Sequence, residues 1–568
     1  MTLSSLRPVA AVGLVAAILL YVGCARTYET ADPARTALKP VAAPSEPEPK
    51  PPTPPISEAE PTVEPVDPAQ KPKSATPAPK AAAASPSSSD SSRDPLKKFA
   101  SWSKTPPAAV LVVSGEQNGY LQPCGCTDGQ LGGLGRRYDL IDKLRAKGWP
   151  VAAVDLGNLI HDPAGSRGGP QQERIKFDTA LKALAAMKYS AVAVGPEDLK
   201  LGVGEMLGLL INLKSPLFLS ANLKPTEGFE DAVRPSMVLN AGPVKLGVTA
   251  VIEPAVYEAL ADPDKATLLT ARKPEEVLPA VLAQLEKDSE IQVLLVQGTP
   301  EEAARLAKQF PGFDLVVSTA KFDDPDERPE VVNGGKTTII NVGRKGKYAG
   351  VVGLFPGKSP TVTFTLQPLE SPSFREAEPM RALIDDNFPS ILKMMGVVEN
   401  FSRTANTQYP EGAEYVGAES CQSCHPNTFA KWSSTKHAKA YNVLTNPKRN
   451  READAECISC HTTGFGYNTG WASAEKTPFL KGNQCENCHG PGSKHNAEPD
   501  NIAFRAPMVR TAESADKGGF CISCHNDDNG PHFKFQPYYA QIFHKGLDTY
   551  EDPKVHQGQP QPRKVAGR

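Results

Sequence analysis

The sequence predicts a multi-domain chain, with an α/β domain over residues 106–370 and a smaller, mainly helical, loop-rich domain over 411–550. Three observations predict it. From Pro106 to Leu369, short apolar runs alternate with amphipathic stretches of helical period, the pattern of strands and helices taken in turn. Eight of the 11 cysteines fall between Cys421 and Cys524, in short stretches punctuated by glycine and proline. Seventeen of the 55 prolines lie between Ala31 and Pro95, where there is no aromatic residue and no glycine. That last stretch cannot bury a core. With 62 basic and 64 acidic residues the net charge is -2, so no basic field exists for holding nucleic acid. The only apolar run near membrane-spanning length is at the N-terminus, which rules out a polytopic membrane protein.

Residues 1–24 have the layout of an export signal: Arg7, then an apolar run from Val9 to Val22, then a small residue before Cys24. The sequence Leu20-Tyr21-Val22-Gly23-Cys24 resembles a bacterial lipobox, with Tyr21 where leucine is usual. The resemblance implies lipid modification of Cys24; an uncleaved anchor is the alternative, although the run is short for a span. Ala25 after the cysteine is similar to lipoproteins sorted to the outer membrane. The expected location is therefore periplasm-facing or at the cell surface, with the membrane reached through a lipid anchor. Residues 25–105, rich in Pro, Ala and Ser, read as a disordered tether with polyproline II character.

In the α/β domain, strands are predicted at Ala108–Ser114, Val151–Asp155, Ala191–Gly195, Leu217–Leu223, Leu246–Ile252, Val293–Gln297 and Leu315–Ser318. Helices are predicted at Tyr138–Lys147, Gln172–Met187, Pro274–Lys287 and Pro300–Gln309. Three late strands without intervening helices, Thr337–Val342, Gly350–Phe355 and Thr361–Leu366, predict a sheet that finishes antiparallel.

Several motifs here carry a resemblance: Gly119-Tyr120-Leu121-Gln122-Pro123, Leu131-Gly132-Gly133-Leu134-Gly135-Arg136-Arg137, Asp155-Leu156-Gly157, Leu219-Ser220-Ala221-Asn222-Leu223, Lys245-Leu246-Gly247-Val248 and Gly346-Lys347-Tyr348. With them the domain resembles the 5′-nucleotidase branch of the calcineurin-like metallophosphatases. The resemblance implies a two-sheet sandwich with helices on both outer faces. It also implies two metal ions held by Asp, Asn and His at strand ends. Every such position identified has changed. Asp-x-His reads Glu116-Gln117-Asn118, Gly-Asp reads Gly157-Asn158, and Gly-Asn-His-Glu reads Gly195-Pro196-Glu197-Asp198. A later His reads Gln297, and Gly-His-x-His reads Thr319-Ala320-Lys321-Phe322. Oxygen donors remain for a hard cation, but without imidazole a transition-metal pair is not expected. The domain reads as a degenerate relative kept for docking or positioning.

Cys124 and Cys126, in Pro123-Cys124-Gly125-Cys126, lie just after the first strand. They read as an incidental pair, or as a strained disulfide serving as a redox couple or soft-metal site. His161 follows Asn158 in a neighbouring loop and reads as a surface histidine. Residues 371–410 form a connector, helical and amphipathic from Phe374 to Glu399, expected to pack on one domain.

Cys421/Cys424/His425, Cys457/Cys460/His461, Cys485/Cys488/His489 and Cys521/Cys524/His525 are four C-x-x-C-H motifs. This is the attachment pattern of c-type haem: two thiols add to the vinyl groups and the adjacent histidine becomes the proximal iron ligand. Zinc also takes C-x-x-C pairs but does not explain a histidine directly after every second cysteine. A thioredoxin-like site would occur once. Four c-type haems follow. Of the other six histidines, His437, His495, His532, His544 and His556 lie in the same segment.

Tyr415-Val416-Gly417, Trp432 with Lys436-His437-Ala438, Cys485 through His495, and Tyr538-Tyr539 with Ile542 and His544 resemble the cytochrome c-554 family of tetrahaem cytochromes. The resemblance implies distal ligands at His437, His495 and His544, and hence three bis-histidine haems. It leaves the haem at Cys457/Cys460 five-coordinate; His532 is an extra candidate that departs from the family pattern. Residues 551–568 read as a disordered tail. The expected function is an exported tetrahaem electron carrier with a redox-protein donor and acceptor. The alternatives are a redox enzyme acting on a small nitrogen or sulfur species at an open haem, and a metal-dependent phosphoesterase.

Overall fold

The computed structural model describes residues 94–123, 129–446 and 450–548. The signal, the tether as far as residue 93, Cys24, Cys124, Cys126, His556 and the tail at 551–568 lie outside the described residues. The end of the predicted tether is corrected: Lys97–Ser103 is a 3₁₀ helix whose Phe99 and Trp102 are buried against Trp149, because these two aromatic rings give the stretch apolar surface to bury. The α/β part and the C-terminal part belong to one compact unit.

Two six-stranded sheets make the α/β part. The first runs, edge to edge, Val362–Pro368, Tyr348–Leu354, Ala109–Ser114, Val151–Asp155, Ala191–Ala193 and Leu217–Leu219. The second runs Glu330–Val332, Thr337–Ile340, Leu315–Ser318, Ile291–Gln297, Val244–Ile252 and Ser236–Ala241. Side chains alternate across each strand, and this builds the layers. Leu111, Val113 and Val154 meet Leu246, Val248, Val293 and Leu295 in one buried cluster between the sheets. Their neighbours Val110, Val112 and Ala153 face the other way, into a cluster with Leu140, Leu144 and Phe177 of the helices Leu134–Ala146 and Gly169–Ala186. Leu294, Val296 and Val316 likewise turn outward to Leu278, Leu282 and Leu306 of Pro274–Asp288 and Pro300–Gln309. The fold is a two-sheet sandwich with helical outer layers, as predicted. The helix Pro300–Gln309 starts where it was predicted because Thr299 accepts a hydrogen bond from the Glu302 amide and Pro300 occupies the first turn.

A second expectation is corrected. The three late strands do not form a single antiparallel finish. Thr337–Ile340 joins the second sheet and runs parallel to Leu315–Ser318, whereas Tyr348–Leu354 and Val362–Pro368 close the first sheet antiparallel. Apolar runs joined by loops of about seven residues do not tell which of two sheets a strand will enter. The strands Ser236–Ala241, Leu269–Ala271 and Glu330–Val332 carry no clear sequence signal because polar or exposed positions interrupt their apolar residues.

The connector is helical from Glu378 to Met394. Met380, Ile384, Phe388 and Leu392, four residues apart, are buried in the cluster that contains Ile175 and Phe177, so the connector packs on the α/β part. Beyond it come short helices and turns; among the described residues from 411 to 548 there is no strand, only the isolated bridge Thr462↔Lys481 and one from Tyr467 back to Thr404.

Candidate functional site

Each C-x-x-C-H motif occupies about one helical turn. Ala455–His461 and Cys485–His489 are α-helical, and the amides of His425 and His525 each donate to the carbonyl four residues back, at 2.8 Å. One turn puts both cysteines on one face with the histidine beside them, so the local geometry is a property of the motif itself.

The tertiary fold then brings a second imidazole to three of the four. His425 faces His495 with ring centroids 6.5 Å apart. His525 faces His437 at 6.1 Å, and His489 faces His544 at 5.7 Å. Two metal–nitrogen bonds of about 2 Å and two ring half-widths of about 1 Å span roughly 6 Å. The separations therefore suit one metal ion between each pair. Burial holds the imidazoles of His425, His437, His489, His495 and His525 below the usual histidine range, which favours the neutral form that ligates.

Carbonyl oxygens fix the tautomers, because a carbonyl can only accept. Nδ1 of His461 lies 2.6 Å from the Ala440 oxygen, that of His489 2.7 Å from Met508, and that of His544 2.8 Å from Ile542. Each Nδ1 thus carries the proton and leaves Nε2 free for a metal. Nδ1 of His495 is buried without a hydrogen-bond partner. Among the described residues no second imidazole faces His461. His532 lies exposed in the turn after the fourth motif.

All eight motif cysteines are free. The Cys421 thiol lies against that of Cys485, and the Cys460 thiol against that of Cys524. The first motif therefore abuts the third, and the second abuts the fourth. Ile502, Val509, Ile522, Phe543 and Leu547 of the same segment stand exposed, apolar surface of the kind a flat macrocycle would cover. These donors and this surface fit c-type haem.

Glu486, inside the third motif, explains why separate stretches of the segment hold together. Its buried carboxylate accepts from the amides of Val416, Gly417 and Gly492 at 2.7–3.2 Å. Burial outweighs these bonds and pushes its carboxyl up to about 7. Sequence reasoning quoted all these residues without seeing that one carboxylate ties them.

At the strand ends of the α/β part lie the residues aligned with the metallophosphatase ligands. Glu116, Asn118 and Asn158 all take left-handed backbone, with φ of 48°, 48° and 56°, a strain concentrated at one place. Their oxygens are nearly all engaged within the protein. Glu116 Oε2 accepts from the Ala320 amide at 2.7 Å, and Asn158 Oδ1 from the Glu197 amide at 3.0 Å. Asn158 Nδ2 donates to Gln297 Oε1 at 3.3 Å, and Gln297 Nε2 donates to the Leu156 carbonyl. Asp198 accepts from the amides of Asn158, Leu159 and Ile160, and burial pushes it up to about 8. Asn118 Oδ1 is the exception, buried without a partner. A buried guanidinium, Arg137, stands 3.6 Å from Asp155. Among the described residues no three His, Cys, Asp or Glu side chains converge. This donor set does not fit a two-metal centre. His161 is exposed, its Nδ1 3.1 Å from the Asp162 oxygen.

The two parts meet beside this cleft. Tyr120 Oη donates to Asp528 Oδ2 at 2.6 Å, and Lys345 Nζ lies 2.7 Å from both Asp528 and Asp323. Gln172 bonds Asp454 and the Ala455 amide, and Lys176 pairs with Glu456. None of these cross-domain residues carries a sequence signal of its own, because each is an ordinary polar residue until its partner is known.

With this geometry in view, the comparisons divide along the chain. Residues 420–490 match the family model for cytochrome c554 and c-prime. The cytochrome c-554 of Nitrosomonas europaea is 29% identical over 132 residues, which are 21% of this chain and 52% of that protein. The chain thus spans about half the length of that curated relative. Among solved structures, the sulfate thiohydrolase SoxB of Thermus thermophilus is similar with a TM-score of 0.43 and 18% identity, over 53% of this chain and 62% of that one. A 5′-nucleotidase precursor from Thermus thermophilus is similar with a TM-score of 0.44 and 16% identity, over 57% and 67%.

Proposed function

We propose that this protein is an electron carrier with four c-type haems, held against an α/β domain that no longer hydrolyses phosphate esters. The observation that carries the proposal is the pairing of His425 with His495, His525 with His437 and His489 with His544 at separations of 5.7–6.5 Å. Covalently attached haem supplies a one-electron iron couple. Cys421, Cys424, Cys457, Cys460, Cys485, Cys488, Cys521 and Cys524 anchor it, and His425, His461, His489 and His525 are the proximal ligands. His437, His495 and His544 would give a haem at three of the sites a second imidazole, which would suit those sites to passing electrons and not to binding substrate.

The α/β domain serves as a scaffold. Tyr120 and Lys345, on loops around the altered cleft, hold Asp528 just beyond the fourth motif, and Gln172 and Lys176 hold the helix that carries the second. The N-terminal 24 residues support export and lipid attachment at Cys24, and electron exchange is with redox proteins. A second reading rests on one specific observation, that no imidazole faces His461 among the described residues: this site binds a small ligand and does redox chemistry there.

Mass spectrometry of the C-terminal fragment after acid-acetone extraction tests the proposal. Four retained haem increments are expected. Bound zinc without haem sinks it.

A further inference from the structure

We propose that Arg167 raises the reduction potential of the second haem, so that the α/β domain acts on electron flow through a single guanidinium. The inference rests on reading the C-x-x-C-H motifs as haem attachments. Arg167 lies in the turn before the helix Gly169–Ala186, far in sequence from the motifs. Its Nη1 stands 3.1 Å from Cys460 Sγ, and its Nη2 donates to the carbonyl of Ser523, between Cys521 and Cys524. In the attached state that sulfur is a thioether instead of a thiol; the charge beside it is the same.

Two comparisons set Arg167 apart. Lys176, which also reaches the segment of the second motif, is neutralised by Glu173 and Glu456 at 3.2 and 2.6 Å. No carboxylate pairs with Arg167 among the described residues. Its charge is thus uncompensated at the contact between the second and fourth motifs, where Cys460 meets Cys524. An arginine stays charged at any working pH. Ferric iron carries one more positive charge than ferrous iron, so an unpaired cation nearby favours the state that has accepted an electron. Removing the charge favours the oxidised state and lowers the potential. Partial exposure screens the effect without reversing its sign.

The test is a spectroelectrochemical titration of the full-length, haem-loaded protein, with haem stoichiometry read first by mass spectrometry. Arg167→Gln keeps a donor and removes the charge; Arg167→Lys keeps the charge and removes the fork. Arg167→Gln is expected to lower the reduction equilibrium constant of the second haem about tenfold, ~59 mV for a one-electron couple, with any smaller accompanying shift confined to the fourth, whose motif the guanidinium also touches. Arg167→Lys is expected to retain most of the wild-type value. Unchanged potentials in Arg167→Gln overturn the inference, as do equal shifts in the two variants, which would point to geometry and not charge. A wild-type protein without haem overturns the underlying reading instead, and the mass measurement shows that before any potential is taken.

Discussion

The Lys176 ammonium lies 2.6 Å from the carboxylate of Glu456, the residue directly before Cys457. One side chain of the α/β domain therefore grips the helix that presents the second motif. Lys176 is 6% exposed, and Glu173, its second partner at 3.2 Å, is fully buried.

Removing the ammonium leaves the buried Glu173 side chain without its cation, held only by the His161 amide and the Ser166 hydroxyl. Lys176→Met is expected to cost about 3–5 kcal/mol, the usual loss when one member of a buried pair is deleted. Glu456→Gln should cost less, because the Glu456 side chain is 36% exposed. Chemical denaturation followed by circular dichroism measures both, and equal small losses would show that the pair contributes little.

Carbon monoxide counts open iron sites. With His437, His495 and His544 each facing a motif histidine, the reduced wild-type protein is expected to bind the gas at one haem. Alanine at any of these three should add one binding haem, because a vacated axial position accepts the gas. His532→Ala should change nothing, since His532 lies exposed in the turn after the fourth motif. Gas binding at three or four wild-type haems would refute the ligand assignment.

Glu116 predicts a pH dependence. Burial pushes its carboxyl from the model-compound 4.5 up to about 7, so between those values the folded state holds a proton that the unfolded state releases. Stability from this group is complete below about 4.5 and falls as pH rises toward 7, by up to ~1.4 kcal/mol per pH unit. Glu116→Gln can still accept from the Ala320 amide and does not titrate. Unfolding free energies at several pH values should fall less steeply in the variant over that window; identical slopes would exclude Glu116 as their source.

The altered cleft predicts an absence of activity. No hydrolysis of nucleotides or of a generic phosphodiester is expected with added manganese, because the oxygens of Glu116, Asn158 and Asp198 accept backbone amides and imidazole is missing. Turnover abolished by Asn118→Ala would show that Asn118 Oδ1 and its neighbours still hold a working ion.

Local chemistry was legible in the sequence because it is local. A cysteine, a second three residues on and a histidine one further share a helical turn wherever the chain goes, and short, nearly continuous apolar runs mark Ala109–Ser114 or Ile291–Gln297 without reference to the rest. The identities of His437, His495 and His544 as ligand candidates also came from the sequence, through a resemblance. What the tertiary structure decided is which imidazole faces which. His437 is 12 residues beyond His425 yet faces His525, and His495, six beyond His489, faces His425. Neighbours in sequence do not pair because the two rings must point at each other across about 6 Å, and a short connection cannot pass around a macrocycle to its opposite face. The same limit hid Arg167, Lys176 and Asp528. A charge acquires a role only when folding fixes its distance to a partner hundreds of residues away, and electrostatic energy depends on that distance and on the water excluded from it.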